Sequence, residues 1–247
     1  DLVQASRAAK QYRILGTAVA NPSMPEYFTG LLPKKRWFRG QNIGLAAAYL
    51  ELIETTGAPD LVEVHSRCQV ARYLTTKKPA LKICLYLHND PRQMRAGRNV
   101  AERRYLLQNM AGIICVSDYI RNCFLDGLDE YSDLASKVGV ARNGAYRWLK
   151  KPPVKENFIL LAGRMVPEKG ILECATAIAR VLRHHPGWDL IIAGARRFED
   201  SAPGSYEDQI AKIIAPLGTR AKMLGFIPIA EMRDWQARAA ISACPSL

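Results

Sequence analysis

Phe158-Ile159-Leu160-Leu161-Ala162-Gly163-Arg164-Met165-Val166-Pro167-Glu168-Lys169-Gly170 is the stretch on which the fold turns. Its first five residues are apolar without a break, as in a buried strand. Glycine ends the run, a short loop follows, and a helical period begins at Ile171. Within 171–182 that period puts Ile171, Cys174, Ala175, Ile178 and Val181 on one stripe, with Arg180 and Arg183 turned away. A glycine at a strand end lets backbone approach a ligand, and the start of a helix offers unpaired N–H groups. Arg164 and Lys169, five residues apart, could bracket a diphosphate. An ordinary strand-to-helix turn with two solvated cations accounts for the same residues.

Outward from this segment, short apolar runs alternate with helical patterns. Strands are expected at Tyr12–Val19, Leu61–His65, Leu81–Leu87, Gly112–Val116, Phe158–Ala162, Asp189–Ala193, Lys222–Leu224 and Ile241–Cys244. Ser205-Tyr206-Glu207-Asp208 reads as a helix start, continued by Ile210, Ile213, Ile214 and Leu217. Ser117 is placed to cap the helix carrying Ile120 and Phe124. Strand–helix–strand alternation implies an α/β fold with parallel, doubly wound sheets. Lys150-Lys151-Pro152-Pro153 removes two backbone donors and interrupts the pattern. The chain is therefore expected to form two Rossmann-like domains, 1–150 and 151–247, facing a cleft at the carboxyl ends of their strands.

With 49% hydrophobic residues in 247, the chain can bury a core. No apolar run approaches the ~18 residues of a membrane-spanning helix, so a soluble or peripheral protein is expected, cytoplasmic by the reading of its cysteines. The six cysteines form no C-x-x-C pair and most lie in apolar runs, as reduced core thiols do. No zinc-binding spacing is present, and no D-x-D, so no metal is expected. Neither G-x-G-x-x-G after a strand nor a P-loop occurs, which argues against a nicotinamide cofactor or a P-loop NTPase.

The net charge of +12 is uneven. Residues 1–150 carry 22 basic against 13 acidic side chains, and residues 151–247 carry 13 against 10. The first half is thus expected to face something anionic: a membrane, a phosphorylated acceptor or nucleic acid. Its Lys34-Lys35-Arg36-Trp37-Phe38-Arg39 combines cations with two aromatics, as membrane-surface segments do, although a solvated loop has the same composition.

These features together resemble the family 4 retaining glycosyltransferases, of the two-domain GT-B type. Gly163-Arg164 through Lys169-Gly170 is similar to their G-R-x-x-x-x-K-G loop, and Val140 to Ala145 to the segment closing their first domain. Leu190 to Gly194 is similar to the strand after the donor-loop helix, and Leu224-Gly225-Phe226-Ile227-Pro228 with Glu231-Met232 to the segment beside the nucleotide base. Together these matches span roughly residues 60–247. The resemblance implies that Gly163, Arg164 and Lys169 hold the donor diphosphate, with Gly194, Gly225, Phe226 and Ile227 near the base. It makes His65, at a strand end, a contact to donor sugar or acceptor. His88, at the next strand end, becomes an orienting group or base with Asn89 and Asp90 beside it. Ser117 lies near the acceptor in the family, or serves only as a helix cap. A hydrogen-bonded structural histidine is the plainer reading of both imidazoles.

The implied reaction transfers a sugar from a UDP- or GDP-sugar to a glycan or lipid-linked glycan of the bacterial surface. It proceeds with retention of configuration and without a cofactor, at the inner face of the cell membrane. The family's first strand with its glycine turn and the E-x7-E segment are not matched, so weak donor binding and little transfer are expected of this stretch. A sugar-nucleotide epimerase or glycogen-type phosphorylase would share the fold. A basic nucleic-acid-binding α/β protein would share the charge, but no nucleic-acid motif appears.

Overall fold

The computed structural model describes residues 14–17, 28–32, 40–144, 149–151, 153–196 and 205–246. The basic-aromatic run 34–39 lies outside the described residues. By backbone contact the chain divides into two compact units, Asp1–Ala145 and Tyr146–Leu247.

In the first unit, β1 (Ile14–Thr17) pairs in parallel with β2 (Phe28–Leu31). Helix α1 (Gln41–Thr56) follows. A four-stranded sheet then comprises β3 (Val62–His65), β4 (Ile83–Leu87), β5 (Gly112–Cys115) and β6 (Val138–Val140), in that order and parallel throughout. Helices α2 (Cys68–Lys77), α3 (Val100–Asn109) and α4 (Asp118–Leu125) connect the strands. The register puts Val64, Leu85, Ile113 and Val138 on one face, with Leu87 and Cys115 beyond them, and all six are buried. That face packs on Cys68, Ala71, Leu74, Leu106, Leu107 and Phe124. Most of the opposite face is half-buried or exposed: Glu63, His65, Tyr86, Ile114 and Gly139.

The second unit places β10 (Ala239–Ala243), β7 (Glu156–Ala162), β8 (Asp189–Ala193) and β9 (Ala221–Gly225) in one parallel sheet, in that order. Here both faces are covered. Ile159, Leu161, Leu190 and Ile192 pack on α5 (Ile171–Leu182) and α6 (Ser205–Ile214). Phe158, Leu160, Ile191 and Ala193 pack towards α7 (Ile229–Arg238) through Met232 and Trp235. Strands apolar on both sides are the composition expected at the centre of a parallel α/β sheet.

The structure departs from the sequence reading in three details. β2 and β6 were not expected, being short and each carrying a glycine. Of the strand expected at Tyr12–Val19, Ile14–Thr17 is strand among the described residues. Along α5, Ile171, Ala175, Ala179 and Leu182 are buried with Cys174 and Ile178 partly buried beside them, whereas Val181 is 52% exposed. Val181 sits about 80° from Ile171 around the helix, at the margin of the stripe, whereas Leu182 sits about 20° away.

Candidate functional site

Two carboxyl edges hold the residues singled out by sequence, one in each unit. In the second unit, Gly163 follows β7, Gly194 follows β8, and Gly225 ends β9. The Gly163 N–H donates to the Ala193 carbonyl at 3.0 Å, and the Gly194 N–H to the Gly225 carbonyl at 2.8 Å. Gly194 has φ +139°, and a Cβ there would lie 1.8 Å from the Gly163 carbonyl oxygen. No side chain fits, so backbone meets backbone across three strand ends.

Beyond Gly163 the loop is tightly wound. Met165 is buried and its N–H donates to the Ala195 carbonyl at 3.2 Å, which ties the loop to the end of β8. Pro167–Lys169 forms a single 3₁₀ turn, closed by the Lys169 N–H to Val166 at 3.0 Å. Gly170 is left-handed at φ +60°, and a Cβ there would come within 2.8 Å of the Pro245 carbonyl oxygen. The two cations remain on the surface. The Arg164 guanidinium is about half exposed, with Glu168 at 3.8 Å. Lys169 Nζ donates to the Ser246 hydroxyl at 3.1 Å. At the neighbouring strand end, Phe226 is 51% exposed while Ile227 packs on the Phe158 cluster. At the start of α5, the Leu172 N–H donates to the Tyr206 hydroxyl at 3.1 Å.

In the first unit the structure joins His65 and His88 directly: Nδ1 of His65 and Nε2 of His88 are 3.0 Å apart. Tyr86, two residues before His88 and paired with His65 in register, stacks on both imidazoles, with ring centroids at 5.1 and 4.8 Å. Its hydroxyl donates to the Ala141 carbonyl at 3.0 Å. Glu63 Oε2 lies 3.5 Å from Nε2 of His65. The His88 N–H donates to the Ser66 hydroxyl at 3.0 Å, and Ser66 adopts the left-handed region at φ +48°. Burial and the adjacent His65 hold the pKa of His88 below the usual histidine value.

The remaining first-unit candidates are engaged elsewhere. Asp90 caps the 3₁₀ turn Pro91–Gln93 and pairs with Arg92 at 2.8 Å, which keeps its carboxyl below the usual carboxylate range. The Ser117 hydroxyl accepts from the Ile120 N–H at 3.2 Å as the N-cap of α4. Asn89 is exposed. Glu63, Tyr86 and Ser66 were not singled out by sequence. The signal was nonetheless there: Glu63-x-His65 and Tyr86-x-His88 are alternate residues, which a strand presents on one face.

Residues 145–247 match the family model described as Glycosyl transferases group 1. The chain is 24% identical over 261 aligned positions to YtcC of Bacillus subtilis strain 168, a provisionally assigned glycosyltransferase, covering 96% of this chain and 61% of that protein. A glycogen synthase of Mycobacterium tuberculosis is 33% identical over 93 residues, covering 34% of this chain and 22% of its own. Among solved structures, HepE of Anabaena in complex with UDP and glucose superposes with TM-score 0.62 at 17% identity, over 89% of this chain and 61% of that one. A glycosyltransferase of Rickettsia africae gives TM-score 0.62 at 16% identity, over 89% and 60%. The chain thus spans about 61% of the length of its relative YtcC. Residues 145–247 are thus similar to the glycosyl transferases group 1 domain, and the two parallel α/β units of the chain have the GT-B fold.

Proposed function

We propose that this chain acts in transfer of a sugar from a nucleotide-diphosphate sugar to a glycan or lipid-linked glycan acceptor, in the manner of the retaining family 4 enzymes. The observation that carries this reading is the glycine edge of the second unit. Three strand ends bring bare backbone together beside a loop that presents Arg164 and Lys169 at the start of α5. A helix N-terminus with two nearby cations suits a diphosphate leaving group, whose charge grows as the bond to the anomeric carbon breaks. On this reading those cations take the part a metal plays elsewhere. Gly194, Gly225, Phe226 and Ile227 lie towards the base. Of the comparison proteins, HepE is in complex with UDP and glucose, and TarM of Staphylococcus aureus with UDP among other molecules.

In the first unit, His65 and His88 are the groups suited to sugar hydroxyls. Imidazole both donates and accepts at neutral pH, and these two sit on the half-buried face of the sheet. Asn89, Asp90 and Ser117 lie along the same edge. The excess of positive charge in 1–150 suits an anionic surface, and Lys34, Lys35, Arg36, Trp37, Phe38 and Arg39 would dock on the inner face of a bacterial membrane during lipopolysaccharide or surface-polysaccharide synthesis.

Calorimetric titration of UDP and of GDP into the chain, alongside Arg164→Ala and Lys169→Ala, tests the donor site. Binding of one nucleotide, weakened by both substitutions, upholds the reading and names the base. Absence of binding by this chain and by one extended at both ends would overturn it.

A further inference from the structure

At the carboxyl edge of β3 and β4, two imidazoles share a hydrogen bond while a carboxylate addresses the far side of one of them. A contact of 3.0 Å between two ring nitrogens needs one proton between them, supplied by either ring. If His65 supplied it from Nδ1, its Nε2 would carry a lone pair facing the Glu63 carboxylate 3.5 Å away. That arrangement sets lone pair against negative charge. If His88 supplies it from Nε2, His65 carries its own proton on Nε2, aimed at Glu63. Glu63 therefore selects the second arrangement, as a carboxylate behind a histidine commonly fixes its tautomer.

We propose, resting on the sugar-transfer reading above, that Glu63 and His65 are positioning residues that fix the proton of His88 on Nε2 and so leave His88 Nδ1 as the hydrogen-bond acceptor for a sugar hydroxyl. The Glu63 carboxylate faces His65 Nε2 at 3.5 Å, His65 Nδ1 accepts from His88 Nε2, and the line ends there. The ring of His88 is held for this task from two further sides. The backbone N–H beneath it donates to the Ser66 hydroxyl, and Ser66 has a left-handed backbone, the kind of local strain that persists where surrounding structure enforces it. Its face lies on Tyr86, itself anchored to the Ala141 carbonyl.

The electrostatic surroundings agree. On β3 and β4 the ionisable groups of this face are Glu63, His65, Cys84, Tyr86 and His88; burial and the Glu63 charge raise the Cys84 thiol. In register, β5 brings Ile114 and β6 brings Gly139, neither ionisable. Beyond β6, Arg142 is paired with Asp118 at 2.7 Å. Burial and His65 together disfavour protonation of His88, so its Nδ1 lone pair is present at neutral pH.

Nitrogen-15 NMR of the imidazoles in the intact chain near pH 7.5 tests this without any nucleotide. The expected spectrum has His88 protonated on Nε2 as a single tautomer. Glu63→Ala should turn it into a mixture, and Glu63→Gln, whose amide oxygen can face His65 Nε2 in place of the carboxylate, should restore it. In a transfer assay Glu63→Ala should lower kcat by about 10-fold with the donor KM unchanged, and Glu63→Gln should recover it. A wild-type His88 protonated on Nδ1, or a tautomer indifferent to Glu63→Ala, overturns the proposal, as does an equal kcat loss in both Glu63 variants. Glu63 lies in the first unit, so nucleotide binding by Arg164 and Lys169 is read separately. Failure of that binding would end the transfer reading without deciding the tautomer of His88.

Discussion

At the carboxyl edge of its first sheet the chain places side chains, and at the corresponding edge of its second sheet it removes them. His65, Tyr86 and His88 stack in one layer beside Glu63, while Gly163, Gly194 and Gly225 bring bare backbone together. The difference matches what each edge would have to recognise. A sugar hydroxyl is met by an imidazole that donates and accepts, whereas a diphosphate and a flat base need the close approach that bare backbone allows. The sheets around the edges differ in the same sense. The second has both faces packed on helices. The first has one buried face and leaves the histidine face half open.

The sharpest way to break this contrast is to put a side chain where there is none. Gly194→Ala would set a Cβ 1.8 Å from the Gly163 oxygen, which no rotamer can relieve. The strand ends of β7 and β8 must separate, at a cost of about 3 kcal/mol or more, as for other enforced overpacking. Denaturant unfolding should show that loss, with nucleotide binding abolished. Gly163→Ala, whose Cβ would meet only the Ile171 side chain at 3.4 Å, should cost far less. Equal losses would mean that the glycine edge is not set by this one contact.

Removing a cation leaves the edge intact and should act on the ligand alone. Arg164 is half exposed, and Lys169 has only Ser246 as its hydrogen-bond partner among the described residues. Either alanine substitution should leave unfolding unchanged and weaken UDP or GDP binding by about 10-fold or more, the scale of a charge-assisted hydrogen bond of ~1.5–3 kcal/mol. High salt should narrow the gap between wild type and variant. A variant that loses stability as well would show the loop to be held by its cations.

Ser117 stands at the first edge but is bound to the backbone of its own helix. Ser117→Ala should cost about 1 kcal/mol of first-unit stability through the lost cap, and Ser117→Asp should restore it. If transfer by the Asp variant matches wild type, the hydroxyl has no part in acceptor binding. If Asp restores stability alone, the cap hides a second role.

Much of this architecture is legible in the sequence because the periods are strong. Ile159 to Ala162 and Leu190 to Ala193 are unbroken apolar runs, and α5 begins and ends where its pattern does. β6 escapes because three residues with a central glycine, only one of them buried, make no period. At the site, residue types are visible and partners are not. Glu63 looks like any solvent-facing strand residue until the register sets His65 against Tyr86 and folds His88 back onto it. Gly194 is visible as a glycine at a strand end, but its necessity lies in a carbonyl 31 positions earlier in the chain.

The smallest expected effect is a slope with pH, and it separates the two edges because only the first carries histidines. His88 has a folded-state pKa below its ordinary value of about 6.5, through burial and then through His65. As pH falls through 6.5, the unfolded chain takes up a proton that the folded chain resists. The unfolded state then binds more protons, so stability rises with pH across this window. The contribution is complete above about pH 6.5 and is lost as the pH falls towards the folded-state value. Denaturant unfolding at pH 7.5 and 5.5 should therefore show a first-unit loss on acidification that His88→Gln reduces. A slope untouched by His88→Gln would place the titrating group elsewhere, and the imidazole pair would then not be the acid-sensitive element of its edge.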